Sequence, residues 1–267
     1  MENPLLSIKP TEALDNFLNE YNNISTIDFA KSKELIASAI KDYDSAPYQK
    51  FLIDSWYDSL KINKPNYHLY NDKFYFTDLW VCWILYSRNY LRAITKYNSF
   101  NKDQSIYSVL SNINNVADLG CGIGYTTASL KQIFPNAQVY GTNIDNTDQY
   151  KFCERMSVKY NFKIVNSITN LPKIDFMFAS EYYEHIYNVL DELEYTIKKL
   201  SPRFLYIANS FNTTSYGHFI FYKNLFDNKE VDQKIISKKF NNLLKKMGYV
   251  KLKTKLWNNK PSFWVQK

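Results

Sequence analysis

Cysteine, histidine and glycine are all scarce in this chain, and each shortage removes a class of protein. The three cysteines, Cys82, Cys121 and Cys153, form an odd set with no metal-ligand spacing. That excludes a disulfide framework and a structural zinc, and it fits a reducing compartment. No apolar run approaches the about 20 residues that a membrane span needs; the most apolar stretch, Leu79 to Leu85, is far shorter. The start, Met1-Glu2-Asn3-Pro4, lacks the positive region of a signal peptide. A soluble, cytoplasmic protein with no membrane partner is expected. Disorder is excluded by what is abundant, because 45% hydrophobic and 17% aromatic residues can bury a sizeable core. No internal repeat or low-complexity linker is present. Nor does any cluster of three acidic residues mark a catalytic magnesium, so no metal is expected.

The net charge of +7 points toward nucleic acid until its distribution is considered. Residues 228–267 hold eleven lysines against Glu230 and Asp232, whereas the preceding residues hold 22 basic against 24 acidic side chains. The basicity is local. Lys251, Lys253 and Lys255 alternate with Leu252 and Thr254, which puts them on one face of a strand. Two readings stay open: lysines that protect an exposed sheet edge, or a face that binds phosphates.

Glycine makes up about 7% of ordinary proteins, yet only six occur in these 267 residues. Three of the six alternate in one stretch, Val116-Ala117-Asp118-Leu119-Gly120-Cys121-Gly122-Ile123-Gly124-Tyr125. An apolar run that stops at such a turn and continues into a helix brings backbone amides close to a ligand. A dinucleotide fingerprint needs glycines at the first, third and sixth places. Counted from Gly120, the sixth place is Tyr125, which argues against the nicotinamide reading. A plain strand, turn and helix without a ligand is the alternative.

Residues 1 to about 105 contain no glycine and read as helices: one from Thr11 through Phe17, one opened by Ser25-Thr26, one from about Tyr48 to Leu60, and one from Thr77-Asp78 to Ile94. The last carries Trp80, Trp83, Tyr86 and Tyr90 along one side. These aromatics either pack the helical segment onto the main domain or, with Tyr67, His68, Tyr70 and Tyr75, roof a substrate site. Beyond Tyr107 strands and helices alternate, the pattern of a mostly parallel sheet with helices on both faces. Strands are expected at Val116–Leu119, Gln138–Thr142, Lys163–Val165, Asp175–Ala179, Phe204–Ala208, Tyr249–Trp257 and Ser262–Gln266. The last two form an antiparallel hairpin across Asn258-Asn259-Lys260-Pro261.

The stretch D-L-G-C-G-I-G resembles the first motif of class I S-adenosylmethionine (SAM)-dependent methyltransferases, and the likeness covers roughly residues 107–267. It implies an α/β fold, a Rossmann-like seven-stranded sheet ending in an antiparallel hairpin, with residues 1–105 as a helical cap and 106–267 as the methyltransferase domain. The resemblance implies SAM as cofactor, with Gly120, Cys121, Gly122, Gly124 and Tyr125 as the turn against its methionine part. Asp118 would fix that turn and the amino group. At the end of the second strand, where the family has an acidic residue for the ribose hydroxyls, this chain has Asn143 followed by Ile144. That exchange replaces charge-assisted bonds of about 1.5–3 kcal/mol by neutral ones of about 0.5–1.5 kcal/mol. Asp145, two residues on, lies on the same side of an extended chain. Asn166 and Ser167 stand where the family contacts adenine.

Asp175 to Ile186 resembles the family's fourth-strand segment, with a Glu-His pair opening the next helix. Ser180, Glu181 and Tyr182 should then lie near the transferable methyl, and Glu181 and His185, one helical turn apart, would share a face. Candidate catalytic residues are His218, Glu181 and His185, which would orient or deprotonate the acceptor. As structure, His185 would only pin the helix, and His218 would be a surface loop residue. Tyr216 to Tyr222 resembles the variable substrate insertion of small-molecule methyltransferases, and Ile236 to Met247 the late helix closed by Gly248. The expected activity is methyl transfer to a small or medium-sized acceptor by direct displacement. The alternatives are an RNA or DNA methyltransferase using the basic carboxy-terminal face, and a non-catalytic binding protein that keeps the fold.

Overall fold

In the computed structural model the described residues are 47–71, 98–101, 104–105, 110, 112–224, 229–252 and 261–267. The helices expected from Thr11, Ser25 and Thr77, the expected contribution of Tyr75, and the turn residues Asn258, Asn259 and Lys260 lie outside them.

Seven strands form one sheet: β1 (Asn115–Leu119), β2 (Gln138–Thr142), β3 (Lys163–Val165), β4 (Phe176–Ser180), β5 (Phe204–Ala208), β6 (Tyr249–Leu252) and β7 (Ser262–Gln266). Their order across the sheet is β6-β7-β5-β4-β1-β2-β3. β3, β2, β1, β4 and β5 run parallel, while β7 pairs antiparallel with both β5 and β6. β6 is therefore an edge strand. Lys251 lies on it, with its ammonium 5.5 Å above the Trp264 ring of β7. Lys253 and Lys255 fall outside the described residues.

Strand alternation sorts the core into two layers. From β4, Phe176 and Phe178 pack with Val116, Val139, Phe204 and Tyr206 against α2 (Tyr125–Ile133) and α3 (Asp148–Tyr160). The alternate residues Met177 and Ala179 pack with Leu119, Leu205, Ile207 and Trp264 against α4 (Val189–Leu200), α5 (Gln233–Lys246) and α1 (Pro47–Lys61). Every residue of β4 and β5 is buried, which is why both read as continuous apolar runs.

α1 docks through its aromatics. Trp56 is fully buried, its indole N–H donates to the His218 carbonyl at 2.6 Å, and its ring meets Phe219 edge-on at 5.4 Å. Tyr57 accepts the Ser215 amide at 3.3 Å. A 3-10 turn, Tyr67–Asn71, follows α1 and reaches the ends of the parallel strands.

Two features depart from the sequence reading. A short antiparallel pair, Asn98–Asn101 with Gln104–Ser105, stands in the segment read as helical. A second antiparallel pair, Phe221–Asn224 with Lys229–Asp232, starts at the end of the insertion-like segment and precedes α5. Among the described residues no helix is long and apolar enough to cross a membrane.

Candidate functional site

β1 ends in the glycine turn, and all three glycines are left-handed: φ is 68° at Gly120, 55° at Gly122 and 87° at Gly124. A side chain at Gly120 would be excluded twice over, because a Cβ there would also lie 2.6 Å from Cδ2 of Tyr182. β2 clamps the turn: the Gly120 amide donates to the Thr142 hydroxyl and the Cys121 amide to the Thr142 carbonyl, each at 2.9 Å. Gly124 then caps the amino end of α2.

A cavity of about 460 Å³ opens at the carboxyl ends of β1, β2 and β4, the place where open parallel sheets hold ligands. Gly120, Gly122, Thr142, Asn143, Ile144, Gln149, Asn166, Ser167 and Ile168 form one wall. Glu181, Tyr182, His185 and Ile186 follow from the β4 end, Glu192 and Tyr195 from α4, and Tyr67 and Tyr70 from the 3-10 turn.

Of the residues singled out from sequence, Gly120, Gly122, Asn143, Ile144, Asn166, Ser167, Glu181 and His185 line this cavity; Asp118, Cys121, Gly124, Tyr125, Ser180 and His218 do not. Asp118 is fully buried beneath the turn, where its Oδ2 accepts the Thr127 hydroxyl of α2 at 2.7 Å and its Oδ1 has no partner among the described residues. Burial pushes its carboxyl up to about 7, and the Thr127 hydrogen bond opposes that rise. The Cys121 thiol turns away from the cavity to meet the buried Cys153 thiol of α3 at 3.6 Å.

Both asparagines are committed to the protein itself. Asn143 donates from Nδ2 to the Gly122 carbonyl at 2.5 Å and accepts the Ile144 amide on Oδ1 at 2.9 Å. Asn166 donates to Asp145 at 2.6 Å and accepts from Asn170 at 3.0 Å. These bonds brace the turn and the β3 loop. Gln149 is different: it is 5% exposed, lines the cavity, and its side chain makes no hydrogen bond among the described residues. Its position two residues past the Thr147 cap of α3 carries no sequence signal. Glu192 and Tyr195, spaced i and i+3 on α4, were also not legible as site residues. Tyr182 donates to Glu192 at 3.1 Å.

The β4 end does not open a helix as expected. Glu181 itself is left-handed, with φ 51°, and Tyr183–His185 is a 3-10 turn, with α4 starting only at Val189. A helical face shared by Glu181 and His185 therefore does not form. The tight turn brings them to the cavity by another route, and it buries Glu184 completely. Ser210 joins the two carboxylates, donating its hydroxyl to Glu181 at 3.0 Å and its amide to Glu184 at 2.6 Å. Burial and the neighbouring Glu181 hold the Glu184 carboxyl well above the usual range.

His218 is a core residue, not a surface one. It is 4% exposed, its Nδ1 donates to the Thr213 carbonyl at 3.0 Å, and its ring meets His185 edge-on at 4.7 Å. Burial lowers it to about 4. His185, in front of it, faces the Tyr70 hydroxyl at 3.1 Å and is held well below its usual range by burial and by His218. A side chain at Gly217 would occupy this space, because its Cβ would lie 2.6 Å from the His185 Nδ1.

No family model matches the sequence, and no curated protein does. Solved structures do match the fold. The mitomycin 7-O-methyltransferase MmcR superposes with a TM-score of 0.57 at 9% identity, over 87% of this chain and 72% of that one. The S-adenosylmethionine-dependent methyltransferase SibL, in its apo form, gives 0.51 at 9% identity, over 89% and 74%. At such identities the likeness is one of fold, the seven-stranded, mostly parallel sheet shared with these methyltransferases.

Proposed function

We propose that this chain is a SAM-dependent methyltransferase acting on a small or medium-sized, largely apolar acceptor. One observation carries the reading: two of the three left-handed glycines at the end of the central strand β1, Gly120 and Gly122, form a side-chain-free part of the wall of a 460 Å³ cavity. Pockets of about 300–1,000 Å³ hold ligands of cofactor size, and the glycine wall lets a ligand approach the backbone.

The residues present fit SAM. Gly120 and Gly122 would border its methionine part, Ile144 its ribose end, and Asn166, Ser167 and Ile168 its adenine. Asp118, Cys121, Gly124 and Tyr125 support the turn from behind. Gln149 takes the polar role assigned to Asn143 from sequence, since both polar atoms of the Asn143 side chain are engaged. When bound, SAM supplies an electrophilic methyl group on its sulfonium.

The chain's own part is to hold and orient the acceptor. Tyr67, Tyr70, Tyr182 and Tyr195 give the far end of the cavity flat apolar surfaces. Glu181 and His185 would orient or take a proton from the acceptor, Glu192 being held by the Tyr182 hydroxyl, and Tyr70 and His218 fix the His185 ring. Direct displacement needs an aligned lone pair more than a strong base.

Calorimetric titration with S-adenosylhomocysteine tests the reading. One equivalent should bind, and Gly122→Asp should abolish it; an absence of heat at millimolar ligand would overturn the proposal.

A further inference from the structure

Behind the cavity the loop after β4 gathers a second set of groups. One ligating atom each from Glu181, Glu184 and His218 lies within 4.8 Å of the other two. Glu184 is fully buried; its Oε1 is taken by the Ser210 amide, and its Oε2 meets no donor group among the described residues, its nearest charged neighbour being Glu181. A buried carboxylate oxygen without a donor is costly unless something positive meets it. The imidazole is already set for that role. A carbonyl only accepts, so the Thr213 contact places the His218 proton on Nδ1 and leaves the lone pair on Nε2. That contact is the one that orients metal-bound histidines. Ser210 fixes both carboxylates in the same way, by its hydroxyl and its amide.

We propose that Glu181, Glu184 and His218 bind one divalent transition-metal ion of the manganese or zinc type. Donor atoms at about 2.0–2.2 Å from such an ion stand about 3–4 Å from one another, so the observed spacing needs a contraction of up to about 1–2 Å by side-chain torsions. Two close carboxyls hold a proton between them, and a cation that displaces it takes over both oxygens. An imidazole among the donors favours manganese or zinc over magnesium or calcium, which prefer oxygen alone. Glu181 also lines the cavity, so an ion held there stands at the cavity's inner edge. Polarising an acceptor oxygen from that place rests on the methyl-transfer reading; the binding of the ion does not.

The test is isothermal titration of the metal-stripped full chain with MnCl2 and with ZnCl2, with the free Mn2+ resonance signal as a second readout. One equivalent of either ion should bind, at least about tenfold more tightly than MgCl2 or CaCl2. Glu181→Gln, Glu184→Gln and His218→Gln should each weaken binding by at least about tenfold, since even partners of ligands cost 10–100-fold. His68→Ala, at an exposed histidine, should leave it unchanged. Circular dichroism checks each variant for folding, and the half-exposed Glu181 supplies a substitution the core should tolerate. No stoichiometric uptake at millimolar Mn2+ or Zn2+ overturns the proposal, as does unchanged affinity in folded Glu181→Gln and His218→Gln, or preference for Mg2+ or Ca2+. Binding of S-adenosylhomocysteine, measured separately, reports on the cofactor reading alone.

Discussion

Replacing Asp118 by asparagine tests whether the carboxyl beneath the glycine turn folds in its protonated form. The group is fully buried with one oxygen unpartnered among the described residues, and burial raises it from 3.8 to about 7. A carboxyl raised on folding contributes stability below its unfolded pKa and loses it as pH climbs through the folded value. Complete loss, from about 4 to above 7, corresponds to about 4 kcal/mol. Asparagine keeps an oxygen for the Thr127 hydroxyl and cannot ionise. Its buried amide costs about 1–3 kcal/mol, but that cost does not vary with pH.

Urea denaturation of both proteins at pH 5 and pH 8 is the assay. The stability difference should move by about 2–3 kcal/mol in favour of Asp118→Asn between the two pH values. His185 and His218, buried and held below their usual range, bias the slope of both proteins oppositely, so only the difference is read. Parallel curves would show that Asp118 is charged in the folded protein and refute the argument.

Gly120→Ala combines a left-handed backbone with a Cβ 2.6 Å from the Tyr182 ring; it should cost about 2–5 kcal/mol in urea denaturation and abolish S-adenosylhomocysteine binding. Trp56→Ala empties a fully buried site between α1 and the 215–219 loop, and a loss of about 3–5 kcal/mol is expected, whereas Trp56→Phe should lose only about 1–2 kcal/mol. Stability near wild type for Trp56→Ala would mean that α1 does not dock as described. Gln149→Leu keeps the bulk of a buried cavity residue and removes its amide; calorimetry should show S-adenosylhomocysteine affinity falling about tenfold, for about 1–1.5 kcal/mol of hydrogen bonding, with stability unchanged.

Much of the sheet was legible because local signals set it. β2, β3, β5 and β7 have the ends read from the sequence, and β1 and β4 differ by a residue at their ends; their apolar runs are bounded by turn residues, and central parallel strands bury every side chain. The β4 exit was misread because E-Y-Y-E-H has helical spacing, and nothing local shows that Glu181 turns left-handed. His218 looked like a loop histidine beside a glycine. It is buried because α1, distant in sequence, closes over its loop through Trp56.

The sequence by itself determined the layered α/β architecture, the glycine turn and the strand ends where a cavity had to lie. These follow from residue type and spacing, which act over a few neighbours. Only the tertiary structure decided what each polar side chain does. Asn143 and Asn166 line the cavity but spend their side chains on bracing loops, and Gln149, unremarkable in sequence, lines it with an uncommitted amide. Glu184 and His218 meet across 34 residues because the sheet delivers their loops to one end. Hydrogen bonding and burial are properties of pairs brought together by the fold, and no spacing along the chain encodes which pairs those are.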